Sequence, residues 1–381
     1  FFIFLFMNIK IESIDDEKDL KDFINLPFKL YKKDPYWVPP LISDLKPHFS
    51  RKNPFFDHAD VTFFIVKKDG IPAGRIAAIV NHKHIEFHNE KAGFFGFFES
   101  INDYDVARAL LDKAGEWLKD KGMEIMRGPM NFSTNEECGF LIEGFESSPL
   151  LMMPYNPPYY LELMDRYGLK KVKDLFAYII DVPDELPPRI IKAAVIAKAH
   201  GAVVRPAVMK RFDKELETFK SVYNSAWEKN WGFIPMTENE IDWMAKRMKT
   251  LIVPDLALIA EVDGRPAGFF LALPDYNQVF KRLNGRLGLS GIIKALWYSR
   301  KIRDIRLLIF GILKEHRKKG IDALFYLEAW KATKRKGYKR AEVSWILEDN
   351  ILVHRAAKMF GARLYKKYRI YEMKINQGKQ T

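Results

Sequence analysis

VTFFIVKKDGIPAGRIAAIV, residues 61–80, and LALIAEVDGRPAGFFLAL, residues 256–273, are two versions of one pattern. Each joins two apolar, strand-like runs through an Asp-Gly step, in DGIPAG at 69–74 and in DGRPAG at 263–268. An Asp-Gly step between two such runs predicts a β-hairpin. The two hairpins lie 194 residues apart, so the sequence predicts that the chain repeats one fold.

Two further matches follow the hairpins in the same order. The helical pattern VARALLDKAGEWLKDKG (106–122) parallels IDALFYLEAWKATKRKG (321–337), and both end at a glycine. The strand-like stretch YGLKKVKDLFAYIIDV (167–182) parallels FGARLYKKYRIYEMKI (360–375). Three matches in one order favour duplication over chance.

The boundary between the repeats is predicted at VPDELPP, residues 182–188, because its prolines cannot continue a helix or a central strand. The predicted domains are therefore residues 1–182 and residues 183–381. Each half reads strand, helices, hairpin, strand, helix, strand, helix, strand. This order predicts an α/β fold of two tandem domains, each with a mixed, mainly antiparallel sheet flanked by helices.

Length and composition agree with two folded domains. The chain has 381 residues, of which 48% are hydrophobic and 14% aromatic. Its single cysteine, Cys138, excludes an intramolecular disulfide and favours a reducing compartment. The first six residues, FFIFLF, are too few to span a bilayer and lack the features of a signal peptide, with Met7 a candidate start. These features predict a cytoplasmic protein.

The positive charge is concentrated at the C-terminal end. The net charge is +13, and residues 300–381 hold 22 Lys and Arg against 8 Asp and Glu. A basic end favours a polyanionic partner, either a phosphorylated cofactor, a nucleic acid or an anionic membrane, although a merely solvated basic surface is the alternative. No nucleic-acid-binding motif is present, so we expect no nucleic acid partner.

The most informative stretch is IRLLIFGILKEHRKKGIDALFYLEA, residues 305–329, in which a strand runs through a basic turn into a helix. Backbone N–H groups at a helix N-terminus bind phosphate groups, and Arg317, Lys318 and Lys319 add positive charge there. Gly320 allows a close backbone approach. The stretch therefore predicts a pyrophosphate site.

At these residues the chain resembles the GNAT acyltransferase superfamily, whose acyl-CoA signature is Gln/Arg-x-x-Gly-x-Gly/Ala between a strand and a helix. Arg317, Gly320 and Ile321 fit the signature, whereas Asp322 replaces the final small residue, where we expect it to cap the helix. The resemblance implies tandem GNAT-like domains and acyl-CoA, either acetyl-CoA or a longer chain, as co-substrate. It implies these cofactor-binding residues: Ile312, Leu313, Arg317, Lys318, Lys319, Gly320, Ile321 and Asn350.

The resemblance also implies transfer of the acyl group to an amine. Glu342 and Glu348, on and just past the strand at 341–347, are candidate bases, and Tyr276 is a candidate acid, with solvated surface carboxylates as the alternative. The helix tyrosine that serves as the acid in many GNAT enzymes is replaced by Ala357. A non-catalytic double domain that binds a ligand or partner is therefore the alternative function.

Acceptor-binding residues are predicted in two places. NSAWEKNWGFIP, residues 224–235, contains Trp227 and Trp231, for which core packing is the alternative. The polar loop at 128–145 contains Asn131, which is predicted either to line a site between the domains or to belong to a turn network. The spacing of His82, His84 and His88 alone does not support a metal site, and no metal is expected.

The two halves differ at the phosphate turn and in one insertion. The first half has FFESINDYDV at 97–106, whose acidic groups repel pyrophosphate, so only the second domain is predicted to bind CoA. The second half carries the insertion 287–308, rich in apolar and basic residues. It predicts either an amphipathic helix at the inner face of the membrane, which suits a lipidic amine, or a helix packed on its own domain, which suits a soluble acceptor.

Overall fold

The structure is a computed structural model that describes residues 8–14, 17–228 and 230–375. The apolar leader and Met7 lie outside the described residues. The chain forms two compact units. Unit 1 comprises Phe1–Asp174, Asn284–Leu287 and Tyr368–Thr381, and unit 2 comprises Leu175–Leu283 and Gly288–Lys367.

The strands of the described residues are β1 (Ile9–Ser13), β2 (Ala59–Lys68), β3 (Ile71–Asn81), β4 (Ala92–Ser100), β5 (Ile125–Gly128), β6 (Met130–Asn131), β7 (Glu137–Cys138), β8 (Phe140–Glu143), β9 (Lys170–Asp181), β10 (Ala202–Pro206), β11 (Ala257–Val262), β12 (Arg265–Pro274), β13 (Asp304–Ile312), β14 (Arg340–Leu347) and β15 (Arg363–Lys374). The helices are α1 (Glu17–Leu30), α2 (Ile42–His48), α3 (His82–His88), α4 (Tyr104–Asp120), α5 (Tyr159–Tyr167), α6 (Pro188–Ala199), α7 (Phe212–Trp227), α8 (Glu238–Met248), α9 (Asn277–Leu283), α10 (Leu289–Ser299), α11 (Ile321–Lys336) and α12 (Ile351–Met359).

Both predicted hairpins are confirmed, as β2–β3 and β11–β12. Their turn residues have positive φ angles, 51° and 78° at Asp69 and Gly70 and 51° and 74° at Asp263 and Gly264. Such angles at both central positions are typical of the tight hairpin turns that favour Asp-Gly. The two units also share a hydrogen bond just past the end of the strand that pairs with each hairpin. The Ile101 N–H donates to Ala73 O, and the Leu313 N–H donates to Ala267 O, both at 2.9 Å.

Each unit contains a large mixed sheet. In unit 1 the order is β1-β2-β3-β4-β5, followed by the part of β15 that pairs with β5, Tyr371–Lys374. In unit 2 the order is β10-β11-β12-β13-β14, followed by Leu175–Asp181 of β9. Only β4–β5 and β13–β14 pair in parallel among the strand pairs described. This architecture confirms the predicted α/β fold with mainly antiparallel sheets.

The compact units differ from the predicted domains 1–182 and 183–381. Those domains follow the sequence repeats, but the end of β9 completes the sheet of unit 2 and the end of β15 completes the sheet of unit 1. The boundary of the units therefore falls inside β9, after Asp174, and not in the proline-rich linker.

Helices cover both faces of the unit 2 sheet. On one face α6 and α11 pack in a core that includes Ala194, Phe270 and Phe325. On the other face α7 contacts β12, with the rings of Phe219 and Phe269 4.7 Å apart. Within the described residues, no helix combines the length and apolarity that a bilayer crossing requires.

Candidate functional site

Strands β13 and β14 of unit 2 separate to form a cleft. Their parallel pairing runs from Asp304 and Arg340 to Leu307 and Val343 and goes no further, although both strands continue. Just past this point Leu308 is an extra residue in β13, because Leu271 and Ala272 of β12 lie opposite Ile309 and Leu307. The edge of β13 beyond the bulge is thus turned towards the cleft without strand partners among the described residues.

Two backbone N–H groups of β13 point into this cleft. The Leu313 N–H donates to Ala267 O at 2.9 Å, so it is engaged by β12. Hydrogen-bonding direction alternates along a strand, which directs the N–H groups of Ile312 and Phe310 to the opposite edge. Of the predicted backbone donors, Ile312 therefore faces the cleft, whereas Leu313 does not.

The basic turn joins the end of β13 to helix α11. Arg317 Nε donates to Ile312 O at 3.0 Å, which holds the turn against the strand. The side chains of Arg317, Lys318 and Lys319 are exposed, and α11 begins after Gly320 with no side-chain cap from the described residues. Uncapped N–H groups beside three cations form an arrangement suited to a pyrophosphate.

Three details of this turn differ from expectation. Asp322 does not cap α11, since the N-cap residue is Gly320, and its side chain is exposed. Gly320 has a φ of 79°, and a Cβ there would lie 2.7 Å from Ala193 O of α6. The glycine is therefore required for packing against α6, independently of any ligand. Ile321 is buried in the core below the turn, where it anchors the start of the helix.

A buried carboxylate lies at the apex of the cleft. Glu342 on β14 is fully buried, directly opposite Arg306 of β13. Its Oε1 accepts a hydrogen bond from Ser344 Oγ at 2.6 Å and lies 3.5 Å from Arg306 Nε. The Tyr365 hydroxyl donates to its Oε2. Lys366 is also fully buried and stabilises the charged carboxylate electrostatically.

The surroundings of Glu342 favour proton transfer. Burial raises the pKa of this carboxyl group, and the charges of Arg306 and Lys366 and the Ser344 hydrogen bond offset that rise only in part. A carboxylate with a raised pKa is a stronger base than an ordinary glutamate. Glu342 was predicted from the sequence, but Tyr365 and Lys366 were missed. The parallel register of β13 and β14 is the signal that predicts its pairing with Arg306.

A second hydrogen-bonded pair lies on the helix that follows β14. The Tyr178 hydroxyl and His354 Nδ1 are 3.0 Å apart, and His354 Nε2 is 3.0 Å from Leu347 O. Because a carbonyl only accepts, Nε2 carries the proton and Nδ1 accepts from Tyr178. Tyr178 and Ala357 belong to one apolar cluster. A tyrosine from β9 thus packs at the position where the family's helix tyrosine is missing.

The other predicted residues of unit 2 lie apart from this cleft or have local structural contacts. Tyr276 follows β12, whose end pairs with the start of β13, so it lies at the other end of the strand from the basic turn. Asn350 caps α12 by accepting from the Val353 N–H at 3.4 Å. Glu348 is half-buried just past the end of β14.

The two predicted tryptophans lie at and beyond the end of α7. Trp227 is its last residue, and its ring lies 4.9 Å from the ring of Tyr223, as the core-packing alternative predicts. Trp231 is half-buried in the following loop. Their role in binding an acceptor stays a prediction.

In unit 1 the corresponding cleft is filled by the chain itself. The side chain of Asn131 accepts a hydrogen bond from the Phe97 N–H at 2.7 Å, so this predicted substrate-binding residue bonds to the bulged edge of β4. Asp103 caps α4 and pairs with Lys68. The described residues contain no cluster of His, Cys, Asp or Glu that could hold a metal ion.

Comparison with known proteins finds two relatives along nearly the whole chain. It is 35% identical over 371 residues to protein YghO of Escherichia coli strain K12, which covers 96% of this chain and 95% of that protein. It is 33% identical over 373 residues to the bacterial ceramide synthase of Caulobacter vibrioides strain NA1000 / CB15N, which covers 96% and 97% respectively. No protein-family model matches the chain.

Solved structures identify the fold. A tandem GNAT protein from the clavulanic acid biosynthesis pathway matches with a TM-score of 0.59 and 12% identity, covering 97% of this chain and 100% of that chain. A GCN5-related N-acetyltransferase from Sphaerobacter thermophilus matches with a TM-score of 0.50 and 14% identity, covering 97% and 96%. The predicted tandem GNAT-like architecture is thereby confirmed.

Proposed function

The chain belongs to the same family as protein YghO and the bacterial ceramide synthase, and from this premise we propose that it is an acyl-CoA-dependent N-acyltransferase acting on a long-chain amine. Ceramide is the amide of a fatty acid and a long-chain amino alcohol. The proposed reaction forms such an amide from a long-chain acyl-CoA and the primary amine of a long-chain base. Metal is not part of the proposal.

The observation that carries the proposal is the cleft between β13 and β14. The basic turn with Arg317, Lys318 and Lys319 lies at its outer end, beside the uncapped start of α11. The buried carboxylate of Glu342 lies at its apex. A cation-rich helix start suits the pyrophosphate of CoA, and a buried base suits an amine that must lose a proton.

The residues of the cleft account for each atom of the reaction. The amine nitrogen attacks the thioester carbon, so that a C–N bond forms and the C–S bond breaks. The N–H groups of Phe310 and Ile312 donate to the carbonyl oxygen as its charge develops. Glu342 accepts the proton that the amine loses. The Tyr178 hydroxyl gives up the proton that it shares with His354 Nδ1 to the departing thiolate. The products are an amide and free CoA.

The exposed helix α10 supports a lipidic acceptor. Leu289, Ile293 and Leu296 follow one another at helical spacing and are 87%, 71% and 63% exposed. Residues 276–303 contain seven Lys and Arg and no Asp or Glu. An apolar stripe flanked only by positive charge is typical of helices that lie in an anionic membrane surface. We propose that the protein binds peripherally there, at the cytoplasmic face.

The alternative function is a non-catalytic double domain that binds acyl-CoA or a partner. The observations that favour it are Ala357, where many GNAT enzymes have their acid, and Asp322 at the phosphate turn. It predicts binding of CoA without turnover.

A single assay of the full chain separates the two functions. Purified protein is incubated with palmitoyl-CoA and a long-chain amino alcohol, the amide is measured by mass spectrometry, and free thiol is measured with a colorimetric reagent. The proposal predicts amide and thiol in equal amounts. Thiol release without amide would show hydrolysis and contradict acyl transfer to the amine. CoA-induced thermal stabilisation without either product would favour the binding protein.

A further inference from the structure

Unit 2 contains an apolar pocket to which the proposed reaction assigns no role. It lies between α7, α8 and strands β11 to β13, and has about 540 Å³ of empty space including its opening to solvent. Six of its apolar lining residues are Phe212, Leu216, Met244, Met248, Leu271 and Ile309.

The pocket offers no unpaired charge to a ligand. Among its described lining residues Glu215 alone is charged, and it is buried. Two nitrogens of Arg205 bond its two carboxylate oxygens at 3.0 and 3.2 Å, and the Val208 N–H donates to it at 3.2 Å. A polar ligand would therefore lose its hydration without finding partners, whereas a hydrocarbon would lose nothing.

The pocket opens on the same sheet face as the buried base. Leu271 and Leu273 alternate along β12 and so point to one face. Leu271, which lines the pocket, lies opposite Ile309, and Leu273 lies opposite Arg306, the ion-pair partner of Glu342. At about 3.3 Å per residue, Ile309 and Arg306 are roughly 10 Å apart along the strand. Pocket and base therefore flank the same cleft.

We infer that this pocket holds the hydrocarbon tail of the acyl group, so that unit 2 selects long acyl chains. The inference rests on the proposed function. The pocket suits the acyl chain, and not the chain of the amine, because of the position of Ile309. This residue lines the pocket, while its neighbour Phe310 directs its N–H into the cleft. An acyl carbonyl held by that N–H has its first methylene beside Ile309.

The lining suits chains of varying shape. Met244 and Met248 belong to α8, and Met209 also lines the pocket. Methionine side chains are flexible and polarisable and adapt to irregular hydrocarbon surfaces. Each methylene that enters contributes about fourfold in affinity, the equivalent of roughly 0.8 kcal/mol. The inference thus predicts a specificity constant that rises steeply with acyl length until the pocket is full.

The test fills the pocket from α8. Ala245 lines it, and Ala245→Phe places a ring in the space. Lys246→Phe is the matched control, since Lys246 is exposed on the same helix. The kcat/KM is measured for acetyl-, octanoyl- and palmitoyl-CoA with one amine. We expect Ala245→Phe to lower the kcat/KM for palmitoyl-CoA at least about tenfold and to leave the value for acetyl-CoA within about twofold. The Lys246→Phe control should not show this loss with palmitoyl-CoA.

Two further measurements make the outcome decisive. A series of amine chain lengths is run with the same variants, and a shift of the amine profile with an unchanged acyl profile overturns the inference. Met248→Ala, which enlarges the pocket, should move the preference towards longer acyl chains, which covers the case in which Ala245→Phe does not fold. Identical acyl profiles of wild type and both pocket variants also overturn it.

A binding measurement separates this inference from the proposed function. Displacement of a fluorescent fatty acid by palmitate needs no amine and no turnover. Wild type and Lys246→Phe should bind palmitate, and Ala245→Phe should bind it at least about tenfold more weakly. Palmitate binding without any acyl transfer would refute the proposed function and leave the pocket, whereas transfer of palmitoyl groups by a wild type that binds no palmitate would refute the pocket.

Discussion

The two units show what duplication preserved and what it changed at one place in the fold. In unit 1, β4 and β5 pair in parallel as far as Phe94 and Arg127, like β13 and β14. Beyond that point Asn131 accepts from the bulged β4, and a Cβ on Gly96 would lie 1.8 Å from Met130 O. The chain itself closes this cleft, so that unit 1 has the framework of the site without the space.

The turns that precede α4 in unit 1 and α11 in unit 2 also differ, because only one of them leaves its helix start without a side-chain cap from the described residues. In unit 1, Asp103 occupies the start of α4, where it accepts hydrogen bonds from the N–H groups of Asp105 and Val106 and pairs with Lys68. In unit 2, α11 starts with a glycine, and exposed cations precede it. One helix start is thus satisfied internally, and the other remains suited to an external anion.

The ion-paired carboxylates of the two units also differ in their surroundings. Glu99 of unit 1 has 12% of its side chain exposed and lies 3.7 Å from Arg75. One of its oxygens accepts hydrogen bonds from the hydroxyl groups of Tyr31 and Tyr160, both at 2.7 Å. Its partners are all buried in the core. Glu342 is fully buried and, with Arg306, lies one residue before the point where the pairing of β13 and β14 ends. A buried ion pair becomes a candidate base only where the strands separate beside it.

The strongest test of this comparison exchanges each carboxylate for an amide. Glu342→Gln should lower kcat by about a hundredfold to ten-thousandfold, because the amine loses its proton acceptor. The wild-type rate should rise with pH as Glu342 loses its proton, at a higher pH than for an ordinary glutamate, because burial raises its pKa. The variant should lack this rise. The measurement is a pH–rate profile.

Glu99→Gln is the matched control in unit 1. It breaks a largely buried ion pair and should cost roughly 3 kcal/mol of unfolding free energy in a denaturant titration, yet leave the rate per folded molecule unchanged. Equal rate losses from the two substitutions would remove the functional difference between the units.

The second test concerns α10. In unit 1 the short helix α3 (His82–His88) connects the hairpin to the next strand, and α10 lies in the longer connection of unit 2. Replacing Arg300, Lys301 and Arg303 by Gln should weaken sedimentation with anionic vesicles by about a hundredfold, at roughly 1 kcal/mol for each charge near the surface. Binding of the wild type should fall as salt rises. Arg306 does not belong to this surface, because it is buried beside Ser344.

The control removes three charges from unit 1, at Lys83, Lys91 and Lys119. These substitutions should leave vesicle binding nearly unchanged, because none of the helices described in unit 1 has an exposed apolar stripe like that of α10. A wild type that ignores vesicles at every salt concentration would favour a soluble acceptor.

The third test concerns the phosphate turn. Lys318→Glu together with Lys319→Glu should weaken CoA binding at least about tenfold, or 1.4 kcal/mol, measured by calorimetry. The control is Arg108→Glu with Lys113→Glu on α4, the matching helix of unit 1, which should leave CoA affinity unchanged. The full chain is required, because a fragment of residues 183–381 lacks Leu175–Asp181, which completes the sheet of unit 2. Equal losses from both pairs would contradict the single site.

Local features of this fold were predictable, and long-range ones were not. The Asp-Gly hairpins and the start of α11 after Gly320 depend on neighbouring residues, so the sequence predicts them. The exchange of β9 and β15 was missed because 167–182 and 360–375 have the same strand pattern, and either segment can complete either sheet. That pairing brings Tyr365 to Glu342 and Tyr178 to His354, so neither contact was predicted.

The smallest expected effect concerns Asp322, the residue that departs from the GNAT signature. It lies in the first turn of α11, as Asp105 lies in the first turn of α4, and both side chains are exposed. A carboxylate there stabilises its own helix by about 0.3–1 kcal/mol but repels a pyrophosphate bound at the same N–H groups. Asp322→Asn should therefore tighten CoA binding about two- to fivefold while slightly lowering the unfolding free energy. Asp105→Asn should have the same small effect on stability and none on CoA affinity. If Asp322→Asn weakens CoA binding, the carboxylate is a ligand partner and the phosphates do not lie over the start of α11. In that case the departure from the signature would mark a different way of holding the cofactor, and the asymmetry between the two helix starts would need another explanation.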